Sequence, residues 1–334
     1  MERGLDKKVS KAAWMYILFV VVASAPFAMQ IVASANTHSD QGDDGPKFGP
    51  WSAPVNLGPP VNSAFAEQFP AISKDGLSLY FSCFDCPGNI GGADIWVSQR
   101  ASVNDAWGTP QNLGANINTA GNDSGPALSF DEHELYFNSN RAGGFGNGDL
   151  YVSRRLNKRD DFGWQPAENL GSGVNTAAAE AFPEFFENDE TGAITLYFQS
   201  NRPGGLGATD IYASALQADG TFGPAVLVVE LSSPFEDLHP AIRRDGLEMF
   251  LASDRPGTLG NVDLWVSTRA NTSDRWSTPV NLGPTVNSVF ADGGPALSRN
   301  GTELYFHSPF RPGNVGGPMF DIWVSTRTKL KEQE

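Results

Sequence analysis

The stretch WSAPVNLG at residues 51–58 returns, little altered, as WGTPQNLG from Trp107, WQPAENLG from Trp164 and WSTPVNLG from Trp276. A worn copy, FGPAVLVV, begins at Phe222. Every later copy follows a tripeptide of one kind; the first follows none. The tripeptides are Asp94-Ile95-Trp96, Asp149-Leu150-Tyr151, Asp210-Ile211-Tyr212, Asp263-Leu264-Trp265 and Asp321-Ile322-Trp323, in steps of 55, 61, 53 and 58 residues. The chain is therefore five copies of one unit. Each is somewhat longer than an ordinary four-stranded blade, and the surplus belongs in loops.

Each unit contains four strand-like pieces, A to D. Piece A is PAIS at Pro70, with PALS at Pro126 and Pro295 and PAIR at Pro240. Asp75-Gly76, Asp245-Gly246 and Asn300-Gly301 then signal tight hairpins. Piece B reads LSLYFS, HELYFN, TLYFQS, LEMFLAS or TELYFHS, and a Gly-rich loop such as NRPGGLGAT from Asn201 leads to piece C, the Asp-apolar-aromatic strand. Piece D is the WSAPVNLG word. Apart from the N-terminal apolar run, no segment shows a helical period, so the spacing predicts an all-β protein. The last unit, Pro295 to Arg327, ends without a D piece, and residues 51–57 are a D piece without A, B or C. Five D pieces match five ABC sets only if the N-terminal strand completes the last blade. Such closure removes the sheet edges that an open stack leaves exposed. The expectation is a five-bladed β-propeller of four-stranded antiparallel blades over residues 51–327, with a polar tail at 328–334.

The formal charge is −15 over 334 residues. A body this acidic repels phosphate backbones, which argues against nucleic-acid binding. Lys7, Lys8 and Lys11 precede the apolar run at residues 12–32, and Ala33-Ser34-Ala35 has the small-x-small pattern of a cleavage site. Residues 1–35 read as a signal peptide, with an uncleaved membrane anchor as the alternative, and residues 36–50 as a linker. Either way the body is exported, to a periplasm or beyond the cell.

Strings such as PALSFDEHELYFNSNRAGGFGNGDLYVSRR and PAIRRDGLEMFLASDRPGTLGNVDLWVSTR resemble the WD-like β-propeller repeats of the periplasmic TolB family. The resemblance covers residues 51–327. It implies the propeller fold and, for function, a periplasmic scaffold. The chain departs from that family in having no separate N-terminal α/β domain, so TolB's partners do not carry over.

Propeller geometry places the D–A and B–C loops on one face around the axis, and loops on a rigid scaffold commonly carry function. An acidic residue stands three positions before the Pro of piece A in every unit: Glu67, Asp123, Glu180, Asp237 and Asp292. Five positions earlier come Asn62, Asn118, Asn175, Ser232 and Asn287. The pattern predicts a carboxylate ring at the funnel mouth, opposite Arg141, Arg202, Arg255 and Arg311. In unit one Asp85 takes the arginine's place. Such a ring either staples loops or binds a ligand: a cation such as Ca²⁺, although no motif supports one, or a sugar. Phe65, Phe290, Phe145 and Phe320 are candidate sugar platforms or loop-packing residues. Glu67 and Glu180 are the ring's only Glu residues and its only acid/base candidates.

Asp94, Asp149, Asp210, Asp263 and Asp321, each at the end of a Gly-rich loop, are expected to satisfy loop amides. Cys83 and Cys86 are the only cysteines. In an exported protein they read as a local disulfide rather than a redox or zinc site, and no cofactor or metal centre is expected. His38, His133, His239 and His307 fall in unrelated pieces, which argues against a catalytic triad or a His-based metal site. Two functions remain. The near-equivalent blades favour a non-catalytic scaffold binding a protein or envelope component. The alternative is a carbohydrate-binding or glycoside-hydrolase propeller using the carboxylates, for which one carboxyl set apart from the others would argue.

Overall fold

The computed structural model describes residues 47–330; the signal segment, residues 36–46 of the linker, His38 and residues 331–334 lie outside the described residues. The described chain forms five four-stranded antiparallel sheets. Blade 1 holds β2 (Ala66–Ile72), β3 (Ser78–Phe84), β4 (Ala93–Gln99) and β5 (Gln111–Asn112). Blade 2 holds β6 (Asp123–Leu128), β7 (Glu134–Ser139), β8 (Asp149–Arg154) and β9 (Glu168–Asn169). Blade 3 holds β10 (Glu180–Glu187), β11 (Ile194–Ser200), β12 (Asp210–Ala215) and β13 (Val226–Leu227). Blade 4 holds β14 (Asp237–Ile242), β15 (Glu248–Ser253), β16 (Asp263–Thr268) and β17 (Val280–Asn281). Blade 5 joins β18 (Gly293–Leu297), β19 (Glu303–Pro309) and β20 (Phe320–Thr326) to the N-terminal β1 (Val55–Asn56).

The unattached first copy therefore does close the ring. Val55 pairs with Val324 and Asn56 with Trp323. The closure reaches further out than the 51–327 boundary. Gly49 N–H donates to the Thr328 carbonyl, and Leu330 N–H to that of Lys47. Phe48 lies under the Arg327 guanidinium, 3.8 Å from its ring centre.

The outermost strands are shorter than the repeated word suggests, with only two residues each in the ladder. Pro54, Pro110, Pro166, Pro224 and Pro279 sit at or just before them and have no N–H to donate. The second strands are unbroken apolar runs because each blade is covered on both faces by its neighbours. Tyr80, Phe81, Phe137, Phe198, Phe250 and Phe306 are fully buried, and the apolar clusters bridge successive blades.

The innermost strands start before the Pro that marks piece A. Each breaks register at one bulge, between Gln68 and Ala71 in blade 1 and at the matching position in every other blade. The residue before the Pro has positive φ in all five: Phe69, Gly125, Phe182, His239 and Gly294, at 51° to 65°. For Phe and His this backbone is strained, and it turns their side chains to the axis.

Candidate functional site

The five acidic residues of the repeat stand at the head of the innermost strands, and all are buried. Asp123 accepts the Thr119 N–H at 2.6 Å, the Thr119 hydroxyl at 2.8 Å and Arg141 at 2.7 Å. Glu180 holds Thr176 and Arg202 in the same way, Asp237 holds Ser233 and Arg255, and Asp292 holds Ser288 and Arg311. Each arginine also donates to a D–A loop carbonyl, Ile117, Val174, Leu231 or Val286. Of the two roles expected of these carboxylates, loop staple or ligand site, the contacts are those of a staple. The carboxylates point back into their own blades, because a strand-head carboxylate finds loop N–H groups and an arginine there, and they have little left for a cation or sugar.

The remaining repeated polar residues close the same loops. Asn118 accepts the Ile95 N–H and donates to the Ile95 carbonyl, and Asn62, Asn175 and Asn287 repeat this on Ile322, Leu150 and Leu264. Asp94 accepts the N–H groups of Ile90 and Gly91 and the Asn112 amide, and Asp149 and Asp263 do likewise. Asp210 accepts the N–H groups of Leu206 and Gly207; Asp321 accepts Val315 N–H and the Asn56 amide.

Blade 1 breaks the pattern. Glu67 has no arginine. Ser63 donates to it through both its N–H and its hydroxyl, and the Cys83 sulfur lies 3.5 Å from Oε1. Cys83 and Cys86 are bonded to each other. Burial, with the Asp321 carboxylate adding repulsion, pushes the Glu67 carboxyl up to about 7. Neither acid/base candidate from the sequence reaches open space: Glu67 is 1% exposed and Glu180 is buried in its ion pair.

The axis is filled by residues that sequence reasoning scattered. Phe69 and Phe182 have ring centres 4.2 Å apart; His239 lies 5.0 Å from Phe69 and 4.4 Å from Phe182, and His307 lies 4.7 Å from Phe69. His239 and His307, which the sequence places in unrelated pieces, come to 5.9 Å of one another when the ring closes. The two glycines of the bulge ring make room. A Cβ at Gly125 would stand 2.7 Å from the Phe182 ring, and one at Gly294 would stand 2.6 Å from the His307 ring. A belt of hydrogen bonds links the blades here. The bulge N–H of Phe69, Gly125, Phe182 and His239 donates to His307 Nδ1, Ser82 Oγ, Asn138 Oδ1 and Gln199 Oε1 of the preceding blade. In blade 4 the matching residue is Ala252, and Gly294 N–H uses His239 Nδ1 instead. Both histidines are thus neutral acceptors. Burial lowers His239 to about 3 and holds His307 well below its usual value.

Past this plug runs a cavity with about 130 Å³ of room for water-sized molecules. Its lining starts at Phe69, Phe182 and His239 and ends at the A–B turns, with Lys74, Glu132 and Arg244 among them. The axial cavity therefore opens on the face opposite the one expected, because the bulge residues block the axis on the way to the D–A loops. In four blades the residue after the Pro is Ala71, Ala127, Ala241 or Ala296; in blade 3 it is Glu184. Glu184 Oε1 accepts the Ile242 N–H at 3.0 Å, and the residue lines the channel. Enclosure among prolines and aromatic rings pushes this carboxyl up to about 8. Glu132 lines the same channel and accepts the Lys74 N–H; it too is raised by burial. Sequence reasoning missed Glu184, although PEFF at Pro183 breaks the Pro-Ala pattern of the other four units.

Of the candidate platforms, Phe145 is exposed, Phe290 packs on Phe310 with ring centres 5.6 Å apart, Phe320 packs on His307, and Phe65 packs against the apolar cluster between blades 5 and 1. Among the described residues, one group has donor atoms close enough to share a metal: Glu67, Cys83 and Cys86, two of which are joined as a disulfide.

No protein-family model matches the chain, and no curated protein matches it. Solved structures do resemble it over most of its length. An α-L-arabinofuranosidase from Lactobacillus brevis is 16% identical with a TM-score of 0.57, over 82% of this chain and 93% of that one. The catalytic domain of a GH62 α-L-arabinofuranosidase from Coprinopsis cinerea is 15% identical with a TM-score of 0.56, over 85% and 98%. A GH43_1 enzyme from Xanthomonas citri, solved with xylotriose, is 16% identical with a TM-score of 0.52, over 82% and 90%. At these identities the likeness is one of fold. It nevertheless corrects the scaffold expectation. That expectation rested on near-equivalent blades and the TolB-like repeat, whereas the similar structures are glycoside hydrolases and the blades are not equivalent at the axis.

Proposed function

We propose that this chain is a carbohydrate-acting propeller of the glycoside-hydrolase kind, with its site in the axial channel at the A–B turns. The observation that carries the proposal is Glu184, the single carboxyl that four blades replace with Ala and that faces channel space. Its Oε1 accepts an N–H, and burial keeps the carboxyl protonated at neutral pH, which is how an acid is poised to protonate a leaving-group oxygen. Glu132, in the same channel, supplies the second carboxyl that glycoside hydrolysis requires. The similar solved structures support a pentose-containing substrate, since they are arabinofuranosidases and an enzyme solved with xylotriose. An exported protein, as residues 1–35 suggest, meets such polysaccharides outside the cell.

The test is hydrolysis of aryl α-L-arabinofuranosides and β-xylosides, with calorimetric binding of xylotriose. Wild type is expected to turn over one class, with kcat falling as pH rises above about 8, where the acid loses its proton. Glu184→Gln is expected to fold and to lose at least about 100-fold in kcat. Binding without turnover would narrow the proposal to sugar recognition. Neither binding nor turnover would sink it.

A further inference from the structure

We propose that Glu67, Cys83 and Cys86 form a thiol–disulfide exchange site, in which the Glu67 carboxyl hands its proton to the Cys83 sulfur as a small dithiol reduces the bond. This is independent of the carbohydrate reading, and its residues lie in blade 1, away from the channel lining.

Three observations carry it. First, four of the five strand-head carboxylates have an arginine, and the fifth has two sulfurs in its place. The repeat needs no cysteine to build this corner, because four blades build it from Ser and Arg. Second, Glu67 Oε1 stands 3.5 Å from Cys83 Sγ, and the donor atoms of all three residues lie within 4.8 Å of one another. Third, the two sulfurs are placed differently. Both cysteines are buried, Cys83 at 4% exposure inside β3 opposite Glu67 and Cys86 at 8% beyond the strand end, between the exposed Asp85 and Pro87. Of the two, the sulfur beyond the strand end, with exposed neighbours on both sides, is the one assigned to the reductant's attack, and the inner one is the leaving group.

The charged side chain acting on Glu67 is Asp321, whose Oδ2 accepts both Val315 N–H and the Asn56 amide while its Oδ1 has no partner among the described residues. Among the described residues no arginine is paired with Glu67. A buried carboxyl beside another carboxylate keeps its proton, and that proton sits next to the departing sulfur. In the first step the dithiol's thiolate attacks Cys86 Sγ. A mixed disulfide forms, the Cys83–Cys86 bond breaks, and Cys83 leaves as a thiolate that takes the Glu67 proton. In the second step the dithiol's other thiolate attacks the dithiol sulfur of the mixed disulfide. The dithiol closes into its own disulfide and Cys86 leaves as a thiolate, which water protonates. Two electrons pass from dithiol to protein, and Glu67 regains its proton from solvent. In the reverse direction the Glu67 carboxylate takes the proton from Cys83.

The test uses the full chain, oxidised and folded, with dithiothreitol as the probe. Reduction is followed by alkylation and mass between pH 5 and 9, and rates are divided by the thiolate fraction of the reductant. The expected result is a corrected rate that falls about tenfold as pH rises through 7 in wild type. In Glu67→Gln the expected rate is low and flat. If that variant does not fold, the wild-type inflection and its displacement in Ser63→Ala decide the question. A flat wild-type profile would overturn the proposal. So would a bond that resists reduction until the protein is unfolded.

Discussion

A carboxylate out of water needs a cation, a set of N–H donors or a proton, and this molecule uses all three solutions at five matched positions. Where the cation is present, removing it leaves a stranded charge. Arg255→Met should therefore destabilise the protein by on the order of 3 kcal/mol, measured by urea unfolding, because Asp237 is fully buried beneath it. Glu67 shows the opposite case. Its carboxyl is raised from 4.5 to about 7, so the folded state binds the extra proton between those values. Its contribution is complete below pH 4.5 and is lost as pH rises to 7, on the order of 3 kcal/mol in all. Glu67→Gln should thus melt higher than wild type at pH 8 and match it near pH 4. The axial histidines have the reverse sign. Their folded values are depressed, so their stabilisation is present above about 6.5 and is lost as pH falls. His307→Gln keeps an acceptor for Phe69 N–H, as Gln199 does for His239, and should flatten the acid limb of the melting curve; an unchanged limb would show that the axis does not control acid unfolding.

At the level of the strand, one worn repeat explains two defects. The outermost strand of blade 3 carries Leu227 where its counterparts carry Asn56, Asn112, Asn169 and Asn281. Asp210 therefore lacks the side-chain amide that the other four aspartates accept; both of its N–H bonds fall on Oδ2, and Oδ1 has no partner among the described residues. In the loop that follows, Ser232 replaces the Asn of the other four units and bonds Ile211 N–H only at 3.2 Å. The Asn pair elsewhere is joined directly, as Asn118 to Asn112 at 2.8 Å. Leu227→Asn with Ser232→Asn should rebuild the network. Each bond is worth about 1 kcal/mol, and the double variant should exceed the sum of the singles in a double-mutant cycle. Additive effects would mean the two sites are not coupled as they are in the other blades. The word PAVLVV already showed this lesion in the sequence; what it costs became legible only once Asp210 was seen to lack the side-chain amide its counterparts accept.

At the level of the molecule, a ring held by one borrowed strand has one weak seam. A chain beginning at Gly58 lacks β1 and the 47–49 pairing, which leaves the outer edge of β20 bare. Such an edge invites pairing with another chain. The truncated protein should unfold at lower urea and associate in a concentration-dependent way on sizing chromatography. A monomer of unchanged stability would show that the closing strand matters little.

Repeat counting determined the blades, their number, their four strands and the closing strand, because each is a local pattern copied five times and the copies check one another. The pairing of the strand-head carboxylates could not be read there. An acidic residue at the head of a strand can point into its blade or toward the axis, and only the packed loops, with their N–H groups and arginines, decide which. The axis was invisible for a related reason. Phe69, Phe182, His239 and His307 are far apart along the chain and become neighbours only when the ring closes. Glu184 stood in plain view as a broken Pro-Ala pattern, but its meaning depends on a cavity that no single blade contains. Local periodicity is written in adjacent residues; a channel is made by five strands meeting at one axis, and its chemistry exists only there.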